Sequence, residues 1–217
     1  MIKRPNLMLN NKVYEITPSL LNSWLYLYNC YEGQEILAKE SFLNALNRVK
    51  TPTNEAQQAG IDFENKCYAG IIAPETEEII KIITGGTYQM SVKKIIKVND
   101  LNIMLYGRFD CVKGDTIYDI KKSMSSYYTA NKYFHTSQQS IYLELLPKAK
   151  KLIYLFNDKN GSTYQEQYNR EDVRSAESLI RAFIEDLKLQ NLYNLFLEKW
   201  EIKDLWVMRL IKIQIMS

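Results

Sequence analysis

The sequence predicts an α/β protein in which a helix-rich N-terminal region leads into a meander of three strands, a helix, two further strands and a final helix. Apolar residues recur at helical spacing at Leu20, Leu21, Trp24, Leu25 and Tyr28. The stretch from Tyr88 to Lys121 is dense in β-branched and aromatic residues, broken at Asn99-Asp100 and Lys113-Gly114-Asp115, both turn formers. The strand pattern then returns on either side of Asp158-Lys159-Asn160-Gly161.

Each element has a local reason. Thr17 followed by Pro18 reads as an N-cap and first helical residue, opening a helix that continues to Tyr28. A second helix runs near Gln34 to Arg48. After the break Thr51-Pro52-Thr53, a third begins at about Asn54 and carries Gly60 and Glu64 towards Ile72. A short helix from Glu75 to Ile83 is stopped by Gly85-Gly86. Strands follow at Tyr88 to Val98, Leu101 to Val112 and Thr116 to Lys121, then a helix from Tyr127 to Leu146. Strands from Lys151 to Phe156 and Ser162 to Tyr168 come next. Asn169 caps a last long helix, acidic in its first turns, that reaches towards Trp200. At 217 residues and 46% hydrophobic, the chain suffices for one well-packed domain over 1–217, with a helical N-terminal region over 1–84, a sheet core over 87–168 and a C-terminal helix and tail over 169–217.

Composition narrows the function classes. No run approaches the ~18 apolar residues of a membrane span, and Met1-Ile2-Lys3-Arg4-Pro5-Asn6 lacks the apolar core of a signal peptide, so a soluble cytoplasmic protein is expected. The three cysteines form no Cys-x-x-Cys pair, which implies no zinc site; Cys30 and Cys67 read as buried thiols on helices in a reducing compartment. A net charge of +3 permits a local electropositive groove from Lys93, Lys94, Lys97, Lys121, Lys122 and Lys132 without announcing one. The lone His135 reads as a surface residue. The tail from Glu201 to Ser217, with Leu205, Trp206, Val207, Leu210 and Ile211, reads as packed on the core, or as a segment for a protein partner or self-association.

The chemistry concentrates in one hairpin. Asp119 and Lys121 are two apart and point the same way from their strand, and Asp110 on the neighbouring strand meets Asp119 across the ladder. Carboxylates brought together out of water repel unless a cation compensates. Oxygen-only ligation suits a hard divalent ion, Mg²⁺ or Mn²⁺, and Lys121 beside it could orient an attacking water or offset charge on phosphorus. The bland alternative is that Asp110 and Asp119 are ordinary hairpin charges and Lys121, beside Lys122, a solvated edge lysine.

The arrangement resembles the PD-(D/E)XK nuclease superfamily, with Phe109-Asp110 in the place of the first motif and Asp119-Ile120-Lys121 in that of the second. Three further stretches are similar to the RecB-like branch, which includes CRISPR-associated four-cysteine nucleases and stand-alone phage and bacterial exonucleases. They are the opening helix from Ile16 to Cys30, the glycine-led Gly60-Ile61-Asp62-Phe63-Glu64, and Gln138-x-x-x-Tyr142. The resemblance spans roughly Ile16 to Phe156 and implies a restriction-endonuclease-like core, for which βββ, α, β, β is the expected topology. It implies a metal-dependent deoxyribonuclease, an exonuclease in recombination, repair or phage DNA metabolism, working in a bacterial or phage-infected cell. The metal would be held by Asp110, Asp119, Glu64 and the main-chain carbonyl of Ile120, with Asp62 a rival to Glu64; Lys121 would align the water, Gln138 would sit near it or a phosphate, and Tyr142 near the DNA backbone. The iron–sulfur members place three clustered cysteines downstream of the site; none follows Cys111 here, so no cluster is expected. A non-catalytic binding protein of the same fold and a site-specific endonuclease are the alternatives.

Overall fold

The computed structural model describes residues 12–126, 131 and 133–203. Its elements are β1 (Val13–Ile16), α1 (Pro18–Asn29), α2 (Glu35–Leu46), α3 (Glu55–Tyr68), α4 (Glu77–Ile83), β2 (Thr87–Val98), β3 (Leu101–Lys113), β4 (Thr116–Lys122), α5 (Gln138–Leu145), β5 (Lys151–Asn157), β6 (Thr163–Asn169), α6 (Ala176–Leu189) and α7 (Tyr193–Trp200). The six strands form one mixed sheet. β2 pairs antiparallel along β3 from Thr87↔Val112 to Val98↔Leu101, and so occupies one whole edge of it. The other edge is shared: β1 runs parallel to residues 102–105, while β4 pairs antiparallel with 111–113. β5 lies parallel to β4, and β6 closes the sheet antiparallel to β5. The fold class is the expected one, α/β with a mixed sheet flanked by helices.

Two cores hold the layers together. The larger, with Leu20, Trp24, Phe42, Ile103, Leu105, Phe109, Tyr142, Tyr154, Ile180, Phe183 and Phe196, lies between one sheet face and α1, α2, α5, α6 and α7. The smaller, with Phe63, Cys67, Ile79, Ile83, Cys111, Ile120, Ile153 and Leu155, lies under α3 and α4 on the opposite face. Phe109 and Cys111 are two apart on β3 yet join different cores, because the β2–β3 ribbon rotates between them. Gln89 on β2 takes φ +53°, and its neighbours divide in the same way: Met90 packs into the larger core, while the Tyr88 hydroxyl donates to the Ile83 carbonyl at 3.2 Å.

Among the described residues, side-chain caps open three of the seven α-helices. The Thr17 hydroxyl oxygen accepts from Leu20 N, Asn54 and Gln57 form a reciprocal capping box, and Ser175 Oγ accepts from Ser178 N. Several expectations are corrected. β1 falls where no strand is expected. α3 ends at Tyr68, and the segment expected to be helical from Tyr127 is in turn conformation at Tyr133–His135, with α5 opening at Gln138. The last helix is two: Asn169 makes no capping bond and leads into a 3₁₀ turn, α6 is capped by Ser175, and Asn191 at φ +59° breaks the chain before α7. Tyr28 is exposed, and Cys30 is a partly buried residue at the end of α1. The N-terminal residues 1–11, Lys132 and the tail from Asp204 on, including Leu205 and Trp206, lie outside the described residues. Among the described residues no helix is long and apolar enough to cross a membrane.

Candidate active site

The β3–β4 ladder stops at Cys111↔Tyr118, so Asp110 and Asp119 would be its next pair. Instead the strands part there. The Asp110 carboxylate takes the place of the missing ladder bond and accepts from Ile120 N at 2.8 Å. N–H and C=O of one residue in a strand point to the same side, so the Ile120 carbonyl is directed to the side that Asp110 occupies. Asp119 is 1% exposed. Its Oδ1 accepts from Gln138 Nε2, the first residue of α5, and its Oδ2 lies 2.5 Å from Lys121 Nζ. That ion pair is the contact the buried Oδ2 makes.

α5 is held close by a glycine. A Cβ on Gly107 would stand 2.7 Å from Leu145 Cδ1 and 2.9 Å from Tyr142 Cε1. The Tyr142 hydroxyl donates to the Arg108 carbonyl at 2.8 Å, in the stretch of β3 between its β1 and β4 partners, and its ring meets Phe109 edge-on with centroids 4.9 Å apart. From the opposite side α3 brings Glu64. Burial pushes the Glu64 carboxyl above its usual range, Lys121 pulls it down, Asp119 pushes it up and Arg108 pulls it down, so the four side chains share one field. Asp62 is exposed and accepts from Gln58 Nε2 at 2.8 Å.

The structure thus gathers Asp119, Lys121 and Gln138 in direct contact, with Asp110, Glu64 and Tyr142 adjoining. Among the described residues no three His, Cys, Asp or Glu side chains form a ready-made metal cage. His135 is on the surface, edge-on to Phe134. Lys122 is a strut: its Nζ donates to Asn157 Oδ1 and to the Asp158 carbonyl and lies 5.1 Å from the centre of the Phe63 ring. Lys94 is paired with Glu144 on α5, so the lysines read as one groove serve different purposes. An open cleft of about 550 Å³, lined by Thr51, Gln57, Gly60, Glu64, Lys121 and Lys122, gives access to the site. Sequence reading missed Tyr68. It stands one helical turn after Glu64, and burial, then Asp110 and Glu64, push its hydroxyl above its usual range; the i, i+4 spacing from Glu64 was the available signal.

Electrostatics set the site's charge state. Burial pushes Asp110 up to about 8, Asp119 adds to the rise and Lys121 offsets part of it. Burial also raises Asp119 against the pull of Lys121. Burial pulls Lys121 down, but Asp119 and Asp110 outweigh it and hold the ammonium firmly charged. In the unfolded chain an aspartate titrates near about 3.9. Between about pH 4 and about pH 8 the folded protein therefore keeps a proton that the unfolded chain has released, and stability falls as pH rises through that window. Urea titrations without divalent ions at about pH 5 and about pH 8 should give a lower midpoint at the higher pH, a difference that shrinks in Asp110→Asn; equal slopes in both proteins would refute the assignment.

No family profile matches the chain, and no curated protein matches it significantly. Among solved structures, the crystal structure of SSO0001 superposes with a TM-score of 0.51 at 17% identity, covering 88% of this chain and 79% of the other. That likeness is one of fold. An alkaline exonuclease from Laribacter hongkongensis matches with a TM-score of 0.47 at 15% identity, over 82% of this chain and 90% of its own. The same exonuclease in complex with dAMP matches at 0.43 and 16%, over 84% and 91%.

Proposed function

We propose that the protein is a divalent-metal-dependent deoxyribonuclease of the PD-(D/E)XK type, RecB-like and without an iron–sulfur cluster, acting as an exonuclease in DNA recombination, repair or phage DNA metabolism. The observation that carries the reading is the convergence of two buried carboxylates, Asp119 paired with Lys121 and Asp110 pushed far above its usual range by burial and by Asp119. Carboxylates that repel one another enough to retain a proton, beside a main-chain carbonyl, form an all-oxygen donor set that fits a hard cation in the proton's place. Asp119, Asp110 and the Ile120 carbonyl would hold it, with Glu64 as the outer ligand. When bound, the ion supplies charge neutralisation on the phosphoryl oxygens and an acidified water.

The protein's own groups do the rest. Lys121 is anchored on Asp119, and its side chain remains 29% exposed to the cleft, so its ammonium can orient a water or meet a phosphate oxygen without losing its charge. Gln138 fixes the Asp119 carboxylate from α5, and Ile120 N fixes Asp110. Tyr142 is committed to the Arg108 carbonyl and positions α5 rather than a substrate.

End-labelled linear DNA and closed circular DNA incubated with Mg²⁺ or Mn²⁺ test the proposal. Release of mononucleotides or short products from linear DNA, with circles left intact, is expected, and Lys121→Ala should slow it roughly 10²-fold. Cleavage of circles would move the reading to an endonuclease. Survival of both substrates would leave a non-catalytic binding protein.

A further inference from the structure

Beyond the cleavage site, one stretch of the sheet lies open. From Gln89 to Lys93 and from Tyr106 to Arg108, the β2–β3 ribbon has one face covered by α5 and the larger core, through Met90, Val92, Gly107 and Phe109. On the other face Gln89, Ser91, Lys93 and Arg108 are exposed. In register there, Ser91 stands opposite Arg108 and Lys93 opposite Tyr106. Lys93 and Arg108 are exposed, and Tyr106 is half-buried with the Lys93 ammonium 5.8 Å from its ring centre. Along this face the strand positions from Gln89 to Lys97 and from Asn102 to Arg108 carry no acid. Arg108 is two residues from Asp110 and acts on Glu64, so the row runs into the site.

We infer that this face is a binding track for an unpaired nucleic-acid strand, with Lys93 and Arg108 on phosphates and Tyr106 against a base. Tyr106 and Arg108 are about 7 Å apart along the strand, the scale of one stretched nucleotide. A ring presented between two cations suits an unpaired base, whose face is free to stack; a duplex keeps its bases stacked internally and offers such a ring nothing. The inference deepens the nuclease reading and rests on it for its substrate.

Fluorescence anisotropy on the full chain in EDTA, with a labelled single-stranded oligonucleotide and its blunt duplex, separates the two. Tyr106→Ala should weaken single-strand binding about tenfold and leave duplex binding unchanged, Tyr106→Phe should restore it, and Lys93→Ala should weaken it and flatten its salt dependence. Lys148→Ala, on a remote loop, should do neither. Single-strand binding unaffected by Tyr106→Ala, equal losses on duplex, or no binding by the wild type would each overturn the inference. A wild type that binds through Tyr106 yet cuts nothing would sink the nuclease reading and leave the track standing.

Discussion

Asp119→Asn is expected to lower metal-dependent DNA cleavage on the order of 10³-fold, since the charge stabilisation a coordinated cation supplies is worth several kcal/mol and each ~1.4 kcal/mol is a factor of ten. The variant should remain folded. An amide at this position keeps the shape of the side chain and an oxygen for Gln138 Nε2, but it removes the anion that pairs with Lys121 and turns an N–H towards the ammonium. Its melting temperature without divalent ions should fall below that of the wild type, because the Lys121 ammonium loses its partner, and the rise that Mg²⁺ produces in the wild type should disappear. A variant that cuts within about tenfold of wild type, or that is stabilised by Mg²⁺ just as strongly, would show that Asp119 is not where the cation acts.

The second large effect is expected at Gly107. Alanine there would place a methyl against the Tyr142 ring and Leu145, and the ring cannot swing aside without giving up its bond to the Arg108 carbonyl. Overpacking of this kind costs about 1–3 kcal/mol. The displacement falls on the helix whose first residue fixes Asp119, so activity should fall more steeply than stability. Urea denaturation and cleavage rate measured on Gly107→Ala check both; a stable variant with unimpaired cleavage would mean that α5 is free to shift.

Much of the sheet was legible because its determinants are local. Asn99, at φ +52°, and Gly114, at φ +61°, make the two hairpin turns of the meander, and counting back from the second turn sets Asp110 against Asp119. What escaped is non-local or depends on a single residue. β1 is four residues long, and its parallel partner lies some ninety positions away, beyond any periodicity argument. The break between α6 and α7 rests on Asn191 entering the left-handed region, and nothing in the flanking pattern of Leu187 and Phe196 announces it. At the site, Asp119 and Lys121 lie on one side of their strand, as their spacing predicts, whereas the bond from Gln138 to Asp119 is not foreseen: the resemblance places Gln138 near a metal-bound water or a phosphate. The strand separation at Asp110 and the approach of Tyr68 depend on packing between α3 and the sheet, which no local pattern encodes.

The rotation of the β2–β3 ribbon at Gln89 also bears on how the chain avoids misfolding. In a uniform ribbon, a one-residue slip reverses every side chain, but a two-residue slip keeps each on its own face and goes unpunished. Here the change of face after Tyr88 must coincide with the change before Cys111. A slip of either parity would send Met90 or Phe109 towards α4, or Tyr88 towards α5. The rotation at Gln89 therefore singles out one alignment of these two long strands from the several that turn geometry alone would permit.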